Sequence, residues 1–121
     1  DQRALIDQLA KAIEEVLDRP GYDMYRPAAI IIPSNERNSI YGKEDDACAL
    51  ENIFLAAHSM GIGSVWINQL QNVCDDARIR AVLDQMKIPA DHVVYGLAAL
   101  GYSAKEPKTD VVKTGKIVFV E

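Results

Sequence analysis

What this chain lacks narrows its identity before any motif is read. Its 121 residues hold two cysteines, Cys48 and Cys74, too few for a disulfide framework and without the Cys-x-x-Cys spacing of zinc or thiol-redox motifs. They read as reduced, structural thiols, small hydrophobes of a reducing compartment. No apolar run approaches the ~20 residues of a membrane-spanning helix, and no charged-then-apolar leader opens the sequence, so the expectation is a cytoplasmic location with no membrane partner. Basic runs are missing as well. Thirteen Lys and Arg against 18 Asp and Glu give a net charge of −5 and no phosphate-tracking stripe for nucleic acid. The two histidines, His58 and His92, are far apart; neither a metal-ligand set nor a catalytic dyad is evident. A starting methionine is also absent, and the chain enters helix-like sequence directly at Asp1, as if something upstream had been cut away or left out.

What is present is an ordinary globular balance, 49% apolar and 26% charged, and a length suited to one whole or partial domain, residues 1–121. In residues 1–19 Leu5, Ile6, Leu9, Ile13, Val16 and Leu17 recur at three and four, which predicts an amphipathic helix. "AAIIIP" (28–33) reads as a short buried strand, and "SNERNSIYGKEDD" as a polar loop. Glu44, Asp45 and Asp46 then read as the solvated start of the next helix, at its positive end, rather than as metal ligands. That helix, Ala47 to Met60, is apolar nearly all round, so it must be covered on most sides, and a partner subunit over one face is expected. His58, within it, reads as a hydrogen-bonded or interface histidine. "DDARIRAVLDQM" predicts a shorter helix with Ile79, Val82, Leu83 and Met86 inward. "DHVVYGLAALGY" predicts a central strand in which Gly96 marks a close backbone approach, and "IVFVE" a terminal strand at a sheet edge or paired with another chain. The order of elements indicates a mixed α/β or α+β layer structure.

The glycines of "SMGIGSVW" follow a helix instead of opening one. A phosphate-binding glycine loop has the reverse order, because the helix N-terminus supplies its N–H groups. Gly61 is therefore read as a left-handed helix stop and Gly-Ile-Gly as a bend that turns Ser64–Leu70 back against the preceding helix. The backbone groups of that segment need partners, which a sheet edge or a flat heteroaromatic ligand would supply.

"ENIFLAAHSMGIGSVWINQL" followed by "VVYGLAALGYSAKEP" resembles the C-terminal half of the nitroreductase family, whose pattern runs A-x-x-N-x-x-L-A-A-x-x-x-G-x-G-S-x-W-I. Ala49, Asn52, Leu55, Ala56, Ala57, Gly61, Gly63, Ser64, Trp66 and Ile67 fall in register, as do Gly96, Leu100, Gly101, Tyr102 and Pro107. The resemblance implies an α+β fold, a mixed sheet flanked by helices with a long buried central helix. It implies a homodimer with FMN in a groove at the subunit interface, NAD(P)H as electron donor, and nitro-aromatic or quinone-like small molecules as substrates. On that likeness Trp66, Ile67, Asn68 and Gln69 lie along the isoalloxazine ring, with backbone N–H groups toward N5 and O4. Trp66 is either a core anchor or a direct ring contact. Lys113 matches a phosphate-pairing basic residue, or is simply solvated; Lys108 and Lys116 are weaker candidates, and Val112 stands where the family often has arginine. Tyr41 is a candidate for facing substrate. The family's N-terminal Arg-Ser-x-Arg segment, which grips phosphate and ribityl chain, has no counterpart here, so the chain reads as a C-terminal portion or a short relative. Such a loss is expected to weaken FMN binding. The competing expectation is a catalytically silent dimeric module or fragment of the same fold that does not retain flavin.

Overall fold

The computed structural model describes residues 2–105, 112 and 114–120. The first predicted helix forms as α1 (Gln2–Leu17), with Ile6, Leu9, Ala10, Ala12 and Ile13 buried on one face. It packs on α3 (Ala77–Gln85), which buries Ile79, Val82 and Leu83 and starts where the Asp76 carboxylate accepts the Arg78 backbone N–H at 3.0 Å. Between them runs the apolar core, joined from one face of a sheet by Ile67, Leu97 and Ala99, with Ile30 packed alongside. The link from α1 into the sheet reverses through Met24, Tyr25 and Arg26, three consecutive residues at φ of 51°, 64° and 51°. Each such conformation costs about 1–2 kcal/mol, and the fully buried Met24 side chain anchors the turn.

The sheet has the order β1 (Ala29–Ile31), β5 (Leu97–Gly101), β3 (Gly63–Ile67), antiparallel throughout. Val65 pairs with Ala99 and Ile67 with Leu97 on the α1/α3 face; Ser64 pairs with Leu100 and Trp66 with Ala98 on the other. Alternation of side chains across the sheet makes that second face available to α2 (Gly42–Ser59), which lies against β3 and β5. A second ladder joins β2 (Asn35–Glu36) to β4 (His92–Val93). The architecture is α+β, as expected, and among the described residues no helix is long and apolar enough to cross a membrane.

Four expectations need correction. The strand over 28–33 is a three-residue edge strand with Ile31 44% exposed, because β5 covers only one of its sides. The loop over 34–46 contains β2, and the last part of it belongs to α2, which begins at Gly42 rather than Ala47. The strand over 91–102 is two strands, separated by residues 94–96. At the C-terminus, residues 114–120 form no strand, and Ile117, Val118, Phe119 and Val120 are exposed. A strand requires a ladder partner for its N–H and C=O groups, and the sheets formed by the described residues do not include this segment. Within its own chain α2 is covered on one side: of its 18 residues Gly42, Asp46, Leu50 and Ala57 are buried, and Leu55 is 60% exposed on the side for which a partner subunit is expected.

Candidate functional site

The helix stop forms as the sequence predicts. Gly61 lies at φ 70°, its N–H donates to His58 O at 3.0 Å, and the Ile62 N–H donates to Ala57 O at 2.8 Å. These two bonds are the paired closure of a left-handed helix end. Gly63 has a different task from the bend expected of it: its backbone is in β3, where an added Cβ would stand 3.1 Å from Gly101 O, so it permits close strand approach. The reversal at Gly61 sends β3 back along α2 and delivers residues 66–69 to the end of the ladder.

Trp66 is anchored on one side and open on the other. Its ring packs 6.2 Å from Phe54 of α2 at a 44° tilt, and it rests on Gly96, where any Cβ would collide with the indole Nε1 and crowd Cδ1 and Cε2 at 3.2 Å. It nevertheless keeps 45% of its surface exposed. Gly96 thus marks a close approach by an indole side chain rather than the close backbone approach expected of it. Ile67 turns its side chain into the core and offers a ligand only its main chain. The ladder ends at Ile67, so the backbone of Asn68 and Gln69 lies outside it, at the entry to a short 3-10 turn (Gln69–Asn72). Asn68 is exposed. Gln69 Oε1 is buried and, among the described residues, has no hydrogen-bond partner.

Other candidates scatter. Tyr41 occupies the N-cap of α2, 64% exposed, its side chain making no capping bond. Lys113, Lys108 and Pro107 lie outside the described residues; Val112 and Lys116 are exposed. His58 is exposed, and His92 Nδ1 sits 2.9 Å from Ser34 Oγ. Cys74 is buried, but Cys48 is exposed on α2 and is not the interior thiol expected, since the sheet covers the opposite side of that helix. No group of three or more metal-ligating side chains converges among the described residues. Two clefts open on the surface. One of about 530 Å³ lies between α1, β1 and the end of α3; one of about 330 Å³ lies beside Arg26, Gly63 and Tyr102. Neither is lined by residues 66–69.

A cluster that sequence reasoning missed stands behind Trp66. Asp46, expected at a solvated helix start, is 1% exposed. Its Oδ1 accepts from Asn35 Nδ2 at 2.6 Å and its Oδ2 from the Tyr95 backbone N–H at 3.3 Å, while Asn35 Nδ2 also donates to Gly42 O at 2.9 Å. Burial raises the Asp46 pKa above the ordinary carboxylate value, against the opposing pull of the bonds from Tyr95 and Asn35. Only the glycine at 96 signalled this region, because Asn35, Asp46 and Tyr95 share no local pattern.

An antiparallel sheet with helices on both faces, and a half-exposed tryptophan leading into main chain beyond the ladder, define an α+β protein with a flat, surface-lying candidate site. The model of the Nitroreductase family matches residues 3–102, and the chain belongs to that family. A crystal structure of a nitroreductase with bound FMN from Bacteroides fragilis is 37% identical and superposes with a TM-score of 0.81, covering 99% of this chain and 71% of that one. An Archaeoglobus fulgidus protein with the provisional name NADH dehydrogenase/NAD(P)H nitroreductase is 35% identical over 83 residues, 65% of this chain and 46% of its own length. A Methanothermobacter thermautotrophicus protein of the same provisional name is 33% identical over 88 residues, 69% of this chain and 44% of its own. The chain thus spans about half the length of the curated relatives it matches.

Proposed function

We propose that this single domain forms part of an FMN-dependent oxidoreductase that uses NAD(P)H to reduce nitro-aromatic or quinone-like small molecules, acting in the cytoplasm as a homodimer. The observation that carries the reading is the stretch Trp66–Gln69, where a half-exposed indole, main chain outside the ladder and a buried Gln69 Oε1 with no hydrogen-bond partner among the described residues occur together. Those features fit the edge of a flat heterocycle that both donates and accepts hydrogen bonds. Membership of the family and the FMN in the Bacteroides fragilis structure support the choice of heterocycle.

When bound, FMN supplies the redox chemistry, taking hydride from the nicotinamide and passing electrons on. The chain's own residues bind and orient. Backbone N–H groups of residues 66–69 stabilise negative charge at the ring edge, as preorganised donors do in an oxyanion hole. Gln69 Oε1 accepts from a ring N–H, Trp66 excludes water from one side, Lys113 pairs with the phosphate, and Tyr41 faces substrate. A second copy of the chain covers the outer face of α2, where Leu55 is exposed. The two clefts described, one of which reaches Val65, are not lined by residues 66–69, and a site completed by the second chain is the reading adopted. The same observation is what the silent-module reading draws on.

Thermal unfolding of the 121-residue chain with and without FMN separates the two. At ~100 times its dissociation constant a ligand adds about 2.7 kcal/mol, so a rise in Tm together with NADH-dependent nitrofuran reduction is expected. No rise at saturating FMN would contradict the proposal and leave the module or fragment that does not retain flavin; a rise without nitrofuran reduction would contradict the reductase activity.

A further inference from the structure

Asp46 is the single charged side chain buried among the described residues, and its two oxygens serve two different segments. One holds Asn35, at the start of β2; the other holds the main chain of Tyr95. Residues 94–96 belong to neither β4 nor β5, so the Tyr95 N–H points out of the ladders and finds the carboxylate instead. The next residue, Gly96, is the surface on which the Trp66 indole rests, with no room for even a methyl group between them. Trp66 in turn is the last residue but one of β3, and Asn68 and Gln69 follow it into the 3-10 turn. A continuous set of contacts therefore runs from the first turns of α2, through Asp46, Tyr95 and Gly96, to Trp66.

We propose that Asp46 is a positioning residue: its carboxylate fixes the 94–96 bend that seats Trp66, and so sets the placement of residues 66–69 against their ligand. The last clause rests on the flavin reading above; the coupling between Asp46 and Trp66 does not. The chemistry of the pair makes carboxylate specific. Asn35 Nδ2 and the Tyr95 N–H are both donors, so position 46 must present two acceptors. Asparagine has one acceptor and one donor group. Whichever way it is flipped, one buried donor is left facing another, and the bend loses a tie.

Trp66 is the chain's sole tryptophan, so its fluorescence reports this seat without flavin. In the full chain, D46N is expected to retain its far-ultraviolet circular dichroism, to shift the Trp66 emission maximum and to increase acrylamide quenching. The FMN dissociation constant should rise about tenfold, the scale set by losing a hydrogen bond to a charged acceptor. Ile79→Val, a methylene deletion in the α1/α3 core on the other side of the sheet, serves as the control: it lowers Tm and leaves the Trp66 signal alone. A D46N protein that behaves like that control, with lowered Tm but unchanged emission, quenching and FMN affinity, overturns the proposal. Should D46N fail to fold, N35A carries the test, since it removes one donor and keeps the bond to Tyr95. It is expected to move Trp66 in the same direction by less, and an unmoved Trp66 overturns the proposal equally. Wild-type chain that binds no FMN while D46N still shifts Trp66 contradicts the flavin reading and leaves the coupling standing.

Discussion

Helices α1 and α2 are nearly equal in length, yet the fold treats them in opposite ways. In α1 the apolar residues form one stripe, and the chain buries that stripe: Leu9 and Ile13 are fully enclosed, with Lys11, Glu14 and Glu15 paired on the outside. In α2 apolar residues stand nearly all round, and the sheet takes one side only, leaving Cys48, Leu55 and Ala56 outward. The difference teaches that an amphipathic stripe describes a helix satisfied by its own chain. A helix that leaves apolar residues outside its own chain's core, among exposed Glu51, Asn52 and His58, is the surface on which the proposed homodimer rests.

The sharpest way to break that comparison is to cut the same side chain from each helix. Leu9→Ala should cost about 2–5 kcal/mol, because the site is fully enclosed and collapses poorly; urea unfolding measures it. Leu55→Ala should stay within about 0.5 kcal/mol of wild type in the dissociated chain. Leu55→Glu should lower the sedimentation-average mass by weakening association, and equal masses for the two proteins would break the proposed role of α2's outer face.

Between the two helices' destinies lies the cap at Gly61. A β-branched residue there must adopt φ near 70°, at a cost of about 1–2 kcal/mol. Gly61→Val is therefore expected to lower Tm less than Leu9→Ala and more than Leu55→Ala.

A smaller effect sharpens the comparison by pH. Asp46 is raised in the fold relative to an unfolded carboxyl, so its protonation favours folding. That contribution is complete below the unfolded value of ~4 and is lost as pH rises through the higher folded value. Wild-type stability should thus carry a downward slope with rising pH over that window, and the slope should be missing in D46N; identical pH profiles would remove Asp46 from the account. The smallest effect belongs to Arg37 and Asp75, a bidentate pair at 2.7 and 2.8 Å. The guanidinium holds the Asp75 carboxyl below its usual range, but both side chains are about half exposed. Arg37→Ala should lower Tm least of this set, and added salt should shrink the difference further.

The legible parts of the molecule are those whose cause is local. The three-and-four spacing of Leu5 to Leu17, the shorter spacing of Ile79, Val82 and Leu83 and the Gly61 stop each lie within a few turns of chain, and each formed where the sequence predicts. What escaped is nonlocal. Two-residue strands such as β2 and β4 exist only because Asn35 meets Val93, 58 positions away. The β-branched and aromatic run "IVFV" is a strand pattern, but pattern is not a partner, and these residues remain outside both sheets. At the candidate site the resemblance carried Trp66–Gln69 into view, and Trp66 proved half-exposed there. Its support was hidden, because Asp46 looks like any acidic residue at a helix start until Tyr95 and Asn35 are brought to it.

The central claim is that residues 66–69 lie against the flavin. Titrating FMN into the chain while following Trp66 emission tests it most directly, since a flavin in contact with the sole indole must quench it. The account predicts saturable quenching that reaches its limit at one FMN per subunit. Emission that stays constant after correction for absorbed light, at FMN concentrations that raise Tm, would place the cofactor elsewhere and contradict it.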